Sequence, residues 1–314
     1  MADPSGIRLF APRRELGRTG FRAAILGIGD VADRKVPLEQ CVATLRRAMD
    51  AGANVIDTAP SYEDGYSELI VGQALRDGRR DGMFVIDKVD FHDDPVAPQI
   101  DASLTRLKLE NTDLFLLHGL STLEGWHRAT APGGAMEQLD KCIDAGKTCF
   151  RGISSHDPDV LKEALASGLC DVVMFPIGAY VDPRYVTEVL PLAKARAVGT
   201  IGIKCFGAGK LLGDTTGYNQ PLQARPRGKI SSGGTENADA LLPRLTVQQC
   251  VNYTLTCDPD VALIGMSFTN EQDAAFAAIE HFVKQTPAEM EILRARAAEA
   301  IKEKGRCWWN PGGK

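Results

Sequence analysis

The sequence lacks the features that mark several classes of protein. No apolar run among its 314 residues approaches the roughly 20 residues of a membrane-spanning helix. Its eight cysteines include no Cys-x-x-Cys pair, which suggests neither a zinc site nor an iron–sulfur cluster, and no metal is expected. The formal net charge of -5 leaves no basic surplus, so neither nucleic acid nor a membrane is an expected partner.

Residues 1–8 lack the apolar core of a secretory signal. Several cysteines lie in apolar segments, where a free thiol behaves as a small hydrophobe, so a reduced, cytoplasmic setting is expected. With 44% hydrophobic and 25% charged residues, the composition is that of a globular protein with a sizeable core. One domain over residues 1–314 is the expected organisation, because α/β barrels reach this length as single domains.

Short apolar segments alternate with amphipathic helical segments along the chain. The predicted strands are residues 24–29, 54–57, 83–88, 113–118, 147–154, 171–177, 199–206 and 261–266, apolar on both faces as buried parallel strands are. The predicted helices are residues 38–51, 67–76, 95–107, 135–145, 157–166, 183–195, 246–256 and 270–282. This alternation predicts a (β/α)8 TIM barrel. A doubly wound sheet is the alternative, but Gly27-Ile-Gly29-Asp-Val-Ala32 lacks the final glycine of a phosphate-binding turn.

Three segments fall outside the repeat. Residues 7–22 predict a hairpin before the first strand, and residues 287–304 an added C-terminal helix followed by a tail with two tryptophans. Residues 207–245, rich in Gly, Pro, Asn, Ser and Thr, form a long loop after the seventh strand. A connection of that length is either a functional lid or disordered.

Proton-handling side chains end three successive predicted strands. Asp57 ends the second strand and Tyr62 follows in its loop, while Lys88 ends the third and His118 the fourth. In a barrel these groups converge on one face and suit carbonyl reduction, because a carbonyl that accepts hydride needs a proton donor at oxygen. We expect Asp57 to pair with Lys88, and the ammonium to lower the pKa of the Tyr62 phenol toward working pH. His118 is expected to hydrogen-bond and orient the substrate oxygen.

The chain resembles an aldo-keto reductase over nearly its whole length. The resemblance is carried by Asp57-Thr-Ala-Pro-Ser-Tyr62, Gly65-Tyr-Ser-Glu68, Lys88 and His118, and by residues 145–154, which are similar to the family's fifth strand. It implies a (β/α)8 barrel and NAD(P)-dependent interconversion of a carbonyl and an alcohol. It also implies Asp57, Tyr62, Lys88 and His118 as the catalytic tetrad, with Tyr62 as proton donor.

The cofactor contacts implied by this resemblance depart from the family's usual residues. Ser155 stands in place of an asparagine and Met174 in place of a glutamine, and the usual aromatic aligns with Lys204. The alternative role considered for Ser155 is an N-cap of the following helix. The implied contacts are Gly29, Asp30, Asp57, Ser154, Ser155, Met174, Lys204, Phe206, Gly207, Gly209, Leu211, Gly265, Ser267 and Gln272.

The choice between NAD and NADP stays open. Members of the family that prefer NADP usually carry cations at the places of Met266 and of Asn270 or Gln272. Either this chain prefers NAD, or the 2′-phosphate is met by the long loop through Arg225, Arg227 and Lys229. Pyrophosphate contacts are expected from the backbone of residues 206–212 and from the helix that starts near residue 270.

A small aldehyde, ketone or sugar, or the matching alcohol, is the expected substrate. Its pocket is expected to be lined by Trp126 and His127 after the fourth strand and by Trp308 and Trp309 of the tail. Two other functions compete with a reductase. One is a cofactor-sensing regulatory protein on the same scaffold, and the other is a lyase or epimerase that oxidises its substrate transiently.

Overall fold

A computed structural model describes residues 13–30, 33–213, 243–302, 304 and 306–311. Within these residues, eight parallel strands close into a barrel that an antiparallel hairpin precedes. The hairpin strands are β1 (Arg14–Glu15) and β2 (Arg22–Ala23). The barrel strands are β3 (Leu26–Ile28), β4 (Val55–Asp57), β5 (Phe84–Val89), β6 (Thr112–Leu117), β7 (Thr148–Ser154), β8 (Val172–Pro176), β9 (Gly199–Ile203) and β10 (Val261–Ile264). The predicted barrel is therefore confirmed.

Each barrel strand pairs with the strands that precede and follow it in sequence, and β10 closes the ring. Ile264 lies opposite Ile28 of β3, and Val261 lies opposite Ile201 of β9. Alternate side chains point inward or outward toward the helices, so both faces of the strands are apolar. The inward set forms one buried cluster that includes Val55, Phe84, Ile86, Leu114, Leu116, Val172, Met174, Ile201, Val261 and Leu263.

The hairpin packs against the N-terminal end of the barrel. Leu16 is fully buried in the inner cluster, and the ring of Phe21 lies 5.0 Å from that of Phe84. The Arg18 amide donates to the carbonyl of Ala197, just before β9, at 2.7 Å. Because this end is covered, the opposite end, where the strands finish at their carboxyl termini, is the face left for chemistry.

The helices surround the strands. They are α1 (Leu38–Asp50), α2 (Tyr66–Ala74), α3 (Val96–Leu107), α4 (Leu123–Thr130), α5 (Ala135–Asp144), α6 (Pro158–Ser167), α7 (Leu190–Ala195), α8 (Val247–Thr256), α9 (Thr269–Glu280) and the added α10 (Pro287–Ile301). Two begin with reciprocal capping boxes, Thr246 with Gln249 and Thr286 with Glu289, which use the first amides of α8 and α10. Among the described residues, no helix is long and apolar enough to span a bilayer.

Two predicted segments differ from the structure. Helix α4 lies between the fourth predicted strand and the next predicted helix, where no helix was predicted. Its N-cap is Thr122, whose hydroxyl accepts the Gly125 amide at 3.1 Å. The predicted helix at residues 183–195 is divided into a π-helical turn and α7. The Leu190 amide bonds the carbonyl of Tyr185, five residues back, and Pro191 has no amide hydrogen to donate.

Most of the long loop, residues 214–242, lies outside the described residues. The predicted lid and the predicted phosphate contacts of Arg225, Arg227 and Lys229 fall in this segment, outside the described residues. Both stay predictions.

Candidate active site

The four predicted catalytic side chains lie on three adjacent strand ends. Asp57 is the last residue of β4, Tyr62 lies in the following loop, Lys88 is in β5, and His118 follows β6. Strands β4, β5 and β6 are hydrogen-bonded neighbours, which brings these positions to one part of the C-terminal face.

Lys88 links the group. Its side chain is 1% exposed, and its Nζ donates to Asp57 Oδ1 at 2.6 Å and to the Thr58 carbonyl at 2.7 Å. The same Nζ lies 4.4 Å from the centre of the Tyr62 ring. The Tyr62 hydroxyl lies 3.5 Å from Asp57 Oδ2. An ammonium, a carboxylate and a phenol therefore meet in one buried cluster.

The charges in this cluster support one another. Burial lowers the pKa of Lys88. The Asp57 charge and the Tyr62 hydroxyl raise it by more than burial lowers it, so the net pKa is above the usual range. Lys88 is therefore an ammonium at neutral pH. Burial raises the pKa of Asp57, and the charge of Lys88 opposes that rise.

The phenol differs from its predicted state. Burial raises the pKa of Tyr62 more than the neighbouring Lys88 lowers it, so the net pKa lies above that of a free tyrosine. The prediction that Lys88 brings this pKa down toward working pH is therefore wrong for this structure. Tyr62 keeps its proton at neutral pH and can donate a hydrogen bond to a carbonyl oxygen.

His118 has a partner that sequence reasoning missed. Its Nδ1 is hydrogen-bonded to a carboxylate oxygen of Asp90, the first residue after β5. The other oxygen of Asp90 accepts the Ser61 amide at 2.9 Å. Asp90 lies two residues after Lys88, at the end of the same strand. A carboxylate at a strand end was the feature of the sequence that could have predicted a role in the site. Burial lowers the pKa of His118, the Asp90 bond opposes this, and Lys88 lowers it further, so the imidazole titrates below its usual value.

On the other side of the face, Ser154 and Ser155 make hydrogen bonds within the chain. Ser154 Oγ accepts the Gly119 amide at 2.7 Å, and Ser155 Oγ accepts the Asp157 amide at 3.1 Å. The N-cap of α6 is Asp157, which accepts the first amides of that helix, so the alternative role considered for Ser155 is corrected. Met174 is 2% exposed and packs in the inner cluster. Because a thioether is a weak acceptor, its side chain offers a cofactor little more than packing.

Lys204, Trp308 and His156 form a second cluster. The Lys204 Nζ lies 4.5 Å from the Trp308 ring centre, and the His156 ring meets Trp308 edge-on at 5.2 Å. The Nε2 of His156 is buried and has no hydrogen-bond partner. Burial, followed by the charges of Lys204 and His118, lowers the pKa of His156 to about 3. The charge of His118 is among those that act on the pKa of His156, which links this cluster electrostatically to the tetrad.

Of the four predicted pocket residues, only Trp308 has substantial exposure beside these groups, at 46%. Trp309 is fully buried, and its indole Nε1 donates to the Tyr180 carbonyl at 3.0 Å. Trp126 is 3% exposed in the core between barrel and helices, because it lies on the inner face of α4. The His127 side chain is 64% exposed and pairs with Glu163 of α6 at 2.9 Å. The structure therefore places Trp309, Trp126 and His127 in packing or surface roles, which corrects the predicted pocket.

The turn after β9 uses much of its own backbone. Gly207 and Gly209 have φ of +52° and +89°, and a side chain at Gly207 would approach Leu211 to 3.0 Å. The amides of Gly207, Gly209 and Leu211 donate to carbonyls at Lys204 and Phe206, so these three expected phosphate donors are already bonded inside the turn.

The residue before α9, Phe268, makes no side-chain hydrogen bond to the first turn of that helix. Ser267 Oγ donates to the Asp30 carbonyl at 3.2 Å, and the Ser267 amide donates at 2.8 Å to Glu271, whose carboxylate is almost fully buried. Gln272 is fully buried and its side-chain amide donates to the Thr44 carbonyl at 2.6 Å, so its side chain is engaged inside the protein.

Gly29 and Gly265 follow adjacent strands, β3 and β10. The Gly29 amide donates to the Ile264 carbonyl at 2.9 Å, and a side chain at Gly29 would lie 3.1 Å from that oxygen. Glycine allows this close approach.

The sequence model of the Aldo/keto reductase family matches residues 24–303. The chain belongs to this family. Among curated proteins, it is 26% identical over 287 residues to L-galactose dehydrogenase of Arabidopsis thaliana, covering 85% of this chain and 87% of the relative. It is 26% identical over 231 residues to an NADH-specific methylglyoxal reductase of Escherichia coli (strain K12), covering 67% of this chain and 70% of the relative.

Solved structures of aldo-keto reductases share the fold. The holo form from Bacillus halodurans has a TM-score of 0.69 at 22% identity, covering 93% of this chain and 98% of that chain. An enzyme from Klebsiella pneumoniae in complex with NADPH has a TM-score of 0.66 at 22% identity, covering 89% and 93%. Membership of this family indicates an NAD(P)-dependent oxidoreductase, and use of either NAD or NADP fits it.

Two features of this aldo-keto reductase fit a nicotinamide dinucleotide. The first turn of α9 receives no capping bond from the side chain of Phe268, and helix N-termini of this kind commonly bind phosphate through their backbone amides. The buried, unpartnered Nε2 of His156 lies directly after Ser154 and Ser155, where the resemblance implies the nicotinamide amide. Of the implied cofactor residues, Met174 and Gln272 instead direct their side chains into the core.

Proposed function

We propose that this aldo-keto reductase interconverts a carbonyl and an alcohol by hydride transfer, with Tyr62 as the proton donor and acceptor. The observation that carries the proposal is the contact of Lys88 with both Asp57 and the Tyr62 ring. A bound NAD(P)(H) supplies or accepts the hydride. All other steps belong to side chains of the chain.

In the reduction direction, Tyr62 donates its proton to the substrate oxygen as negative charge develops there. Lys88 stays positive because Asp57 holds it, so it stabilises the phenolate that remains. Because burial raises the pKa of Tyr62, the phenol carries its proton at neutral pH, and the neighbouring ammonium lowers the free-energy cost of giving it up. In the oxidation direction, Tyr62 first releases its proton to solvent, and the phenolate, stabilised by Lys88, then takes the hydroxyl proton of the alcohol as hydride leaves its carbon.

The second cluster suggests where the rest of the substrate lies. Trp308 offers a half-exposed aromatic face, while Lys204 and His156 add polar groups next to it. Aromatic faces bordered by hydrogen-bonding groups suit a compact, polar carbonyl compound or a sugar ring. We propose this cluster as the substrate wall, in place of the predicted Trp126, His127 and Trp309.

The test is Tyr62→Phe, with Tyr66→Phe as the matched control. Tyr66 lies four residues away, and its hydroxyl bonds the Val36 carbonyl at 3.0 Å. Reduction of a panel of aldehydes, ketones and sugars with NADH and NADPH is expected to fall about 10²–10⁴-fold in Tyr62→Phe and to stay near wild type in the control. Cofactor binding, followed by nicotinamide fluorescence, is expected to persist in both variants. Undiminished reduction in Tyr62→Phe would assign the proton to another group.

A wild-type protein that binds cofactor without turnover would favour the regulatory alternative. Conversion of substrate without net change in nicotinamide absorbance would favour the lyase or epimerase.

A further inference from the structure

The Asp90 carboxylate lies between two parts of the proposed active site. One oxygen is hydrogen-bonded to His118 Nδ1 and accepts the Ser61 hydroxyl at 3.2 Å, and the other accepts the Ser61 amide at 2.9 Å. The Asp90 side chain is 13% exposed and that of His118 is 25% exposed. Ser61 directly precedes Tyr62 in the chain, so one carboxylate joins the loop that carries the phenol to the imidazole.

Strand pairing fixes this arrangement. Val89 of β5 lies opposite Leu117 of β6, and the His118 amide donates to the Val89 carbonyl at 2.9 Å. Asp90 and His118 are the next residues on these paired strands, so they leave the barrel side by side. The proposed reaction assigns no step to Asp90, although its carboxylate makes three hydrogen bonds there.

We propose that Asp90 is a positioning residue that holds the proton of neutral His118 on Nδ1 and turns the lone pair of Nε2 toward the substrate. The effect on substrate binding rests on the proposed function, whereas the assignment of the tautomer does not depend on it. An ionised carboxylate only accepts hydrogen bonds, so the proton shared with the imidazole must come from Nδ1. In the neutral ring, Nε2 then has no hydrogen.

The consequence is that His118 distinguishes the two directions of reaction. The neutral ring accepts a hydrogen bond at Nε2 and therefore binds the hydroxyl of an alcohol, while Tyr62, still protonated, donates to the alcohol oxygen. Only the imidazolium can donate from Nε2 to a carbonyl oxygen, beside the proton that Tyr62 supplies. Binding of a carbonyl compound is therefore expected to weaken as pH rises through the titration of His118, whereas alcohol binding strengthens.

The charges around His118 agree with a ring that is neutral near pH 7. The charged and titratable groups that act on it, from β4, β5, β7 and the loops after them, are Asp57, Lys88, Asp90, His92 and His156. The ring of Tyr62, a further titratable group, lies 5.7 Å from the imidazole. Burial and the positive charge of Lys88 lower the pKa of His118. The hydrogen bond to Asp90 raises it, but the net pKa is below the usual value. Burial alone would raise the pKa of Asp90, but its bonds to His118 and Ser61 bring it below the usual value, so it is ionised.

The first test is spectroscopic and needs no turnover. Nitrogen-15 NMR of the full-length protein distinguishes the two tautomers, and His118→Gln assigns the His118 signal among the five histidines. We expect the Nδ1–H form in the wild type. In Asp90→Asn the side-chain amide can donate to Nδ1, so the proton is expected to move to Nε2. Ser61→Ala, which keeps its backbone bond to Asp90, is expected to retain the Nδ1–H form.

The second test uses the pH dependence of KM. In the wild type, KM for a carbonyl substrate is expected to rise as His118 loses its proton, and Asp90→Asn is expected to remove that dependence while raising KM for the alcohol about tenfold. An Nε2–H signal in the wild type, or an unchanged tautomer and KM profile in Asp90→Asn, would overturn the assignment. If the tautomer changes as expected but no variant shows turnover, the role of Asp90 is supported and the proposed function fails.

Discussion

The C-terminal face of the barrel has two halves that use their polar side chains differently. In the catalytic half, at the ends of β4, β5 and β6, buried charged groups bond one another, as Lys88 does with Asp57. In the cofactor half, at the ends of β7 to β10 and in α9, the hydroxyls of Ser154 and Ser155 and the side-chain nitrogen of Gln272 bond the backbone. The difference teaches that the polar side chains of the catalytic half are held mainly by one another, whereas these polar side chains of the cofactor half are held mainly by the backbone.

The largest expected effect comes from breaking the pair in the catalytic half. Lys88→Met leaves Asp57 as an unpaired buried charge, which typically costs about 3–5 kcal/mol of unfolding free energy. Carbonyl reduction is expected to fall at least as far as in Tyr62→Phe. Urea unfolding at neutral pH and single-turnover rates measure the two effects.

The control for Lys88→Met is Lys147→Met. Lys147 pairs with Asp101 at 2.5 Å, but the two side chains are 28% and 56% exposed. Exposed pairs contribute about 1 kcal/mol or less, so its unfolding curve is expected to stay near wild type. Equal losses in the two variants would mean that burial does not set the catalytic half apart.

The next effect belongs to His156, in the cofactor half. Its pKa of about 3 in the folded protein lies below the usual value near 6.5, so the unfolded chain binds more protons at acid pH and stability falls as pH falls below about 6.5. Between pH 6.5 and 4.5 this residue alone is expected to cost roughly 2 kcal/mol.

Urea unfolding of His156→Gln at those two pH values measures this cost. The variant should lose less stability on acidification than the wild type. His127→Gln, which changes a largely exposed histidine, serves as the control. If His156→Gln and the wild type lose stability equally, the buried Nε2 is not the source of the acid sensitivity.

The same comparison explains how far the sequence could be interpreted. Asp57, Lys88 and His118 could be placed because a charged residue at the end of an apolar strand is conspicuous, and strand ends of a barrel meet at one face. Asp90 was missed although it obeys the same rule, because it lies two residues after Lys88 and only one catalytic residue was expected at each strand end. The strand pattern likewise gave the barrel, since buried strands are apolar on both faces.

The errors came from positions whose role depends on packing. Trp126 and Trp309 have the same local signal as Trp308, an aromatic in a polar loop or tail. Trp126 is buried because α4 packs its inner face on the barrel, and Trp309 is buried with its indole bonded to the Tyr180 carbonyl. Both depend on tertiary packing that the local sequence does not show. The pKa of Tyr62 was misjudged for the same reason, because the sequence shows the neighbouring ammonium but not the depth of burial.

The smallest expected effect concerns nucleotide choice in the cofactor half. The buried Glu271 carboxylate accepts the Ser267 amide at 2.8 Å, beside the place where the resemblance implies the 2′-phosphate of NADP. A negative charge there should disfavour that phosphate by on the order of 1 kcal/mol. Glu271→Gln, which can keep the hydrogen bond, is expected to raise affinity for NADPH about fivefold relative to NADH in fluorescence titrations. Glu280→Gln, at the exposed end of the same helix, should change the affinity for neither cofactor. If Glu271→Gln changes the affinities for NADH and NADPH equally, the choice between the two cofactors belongs to the loop after β9.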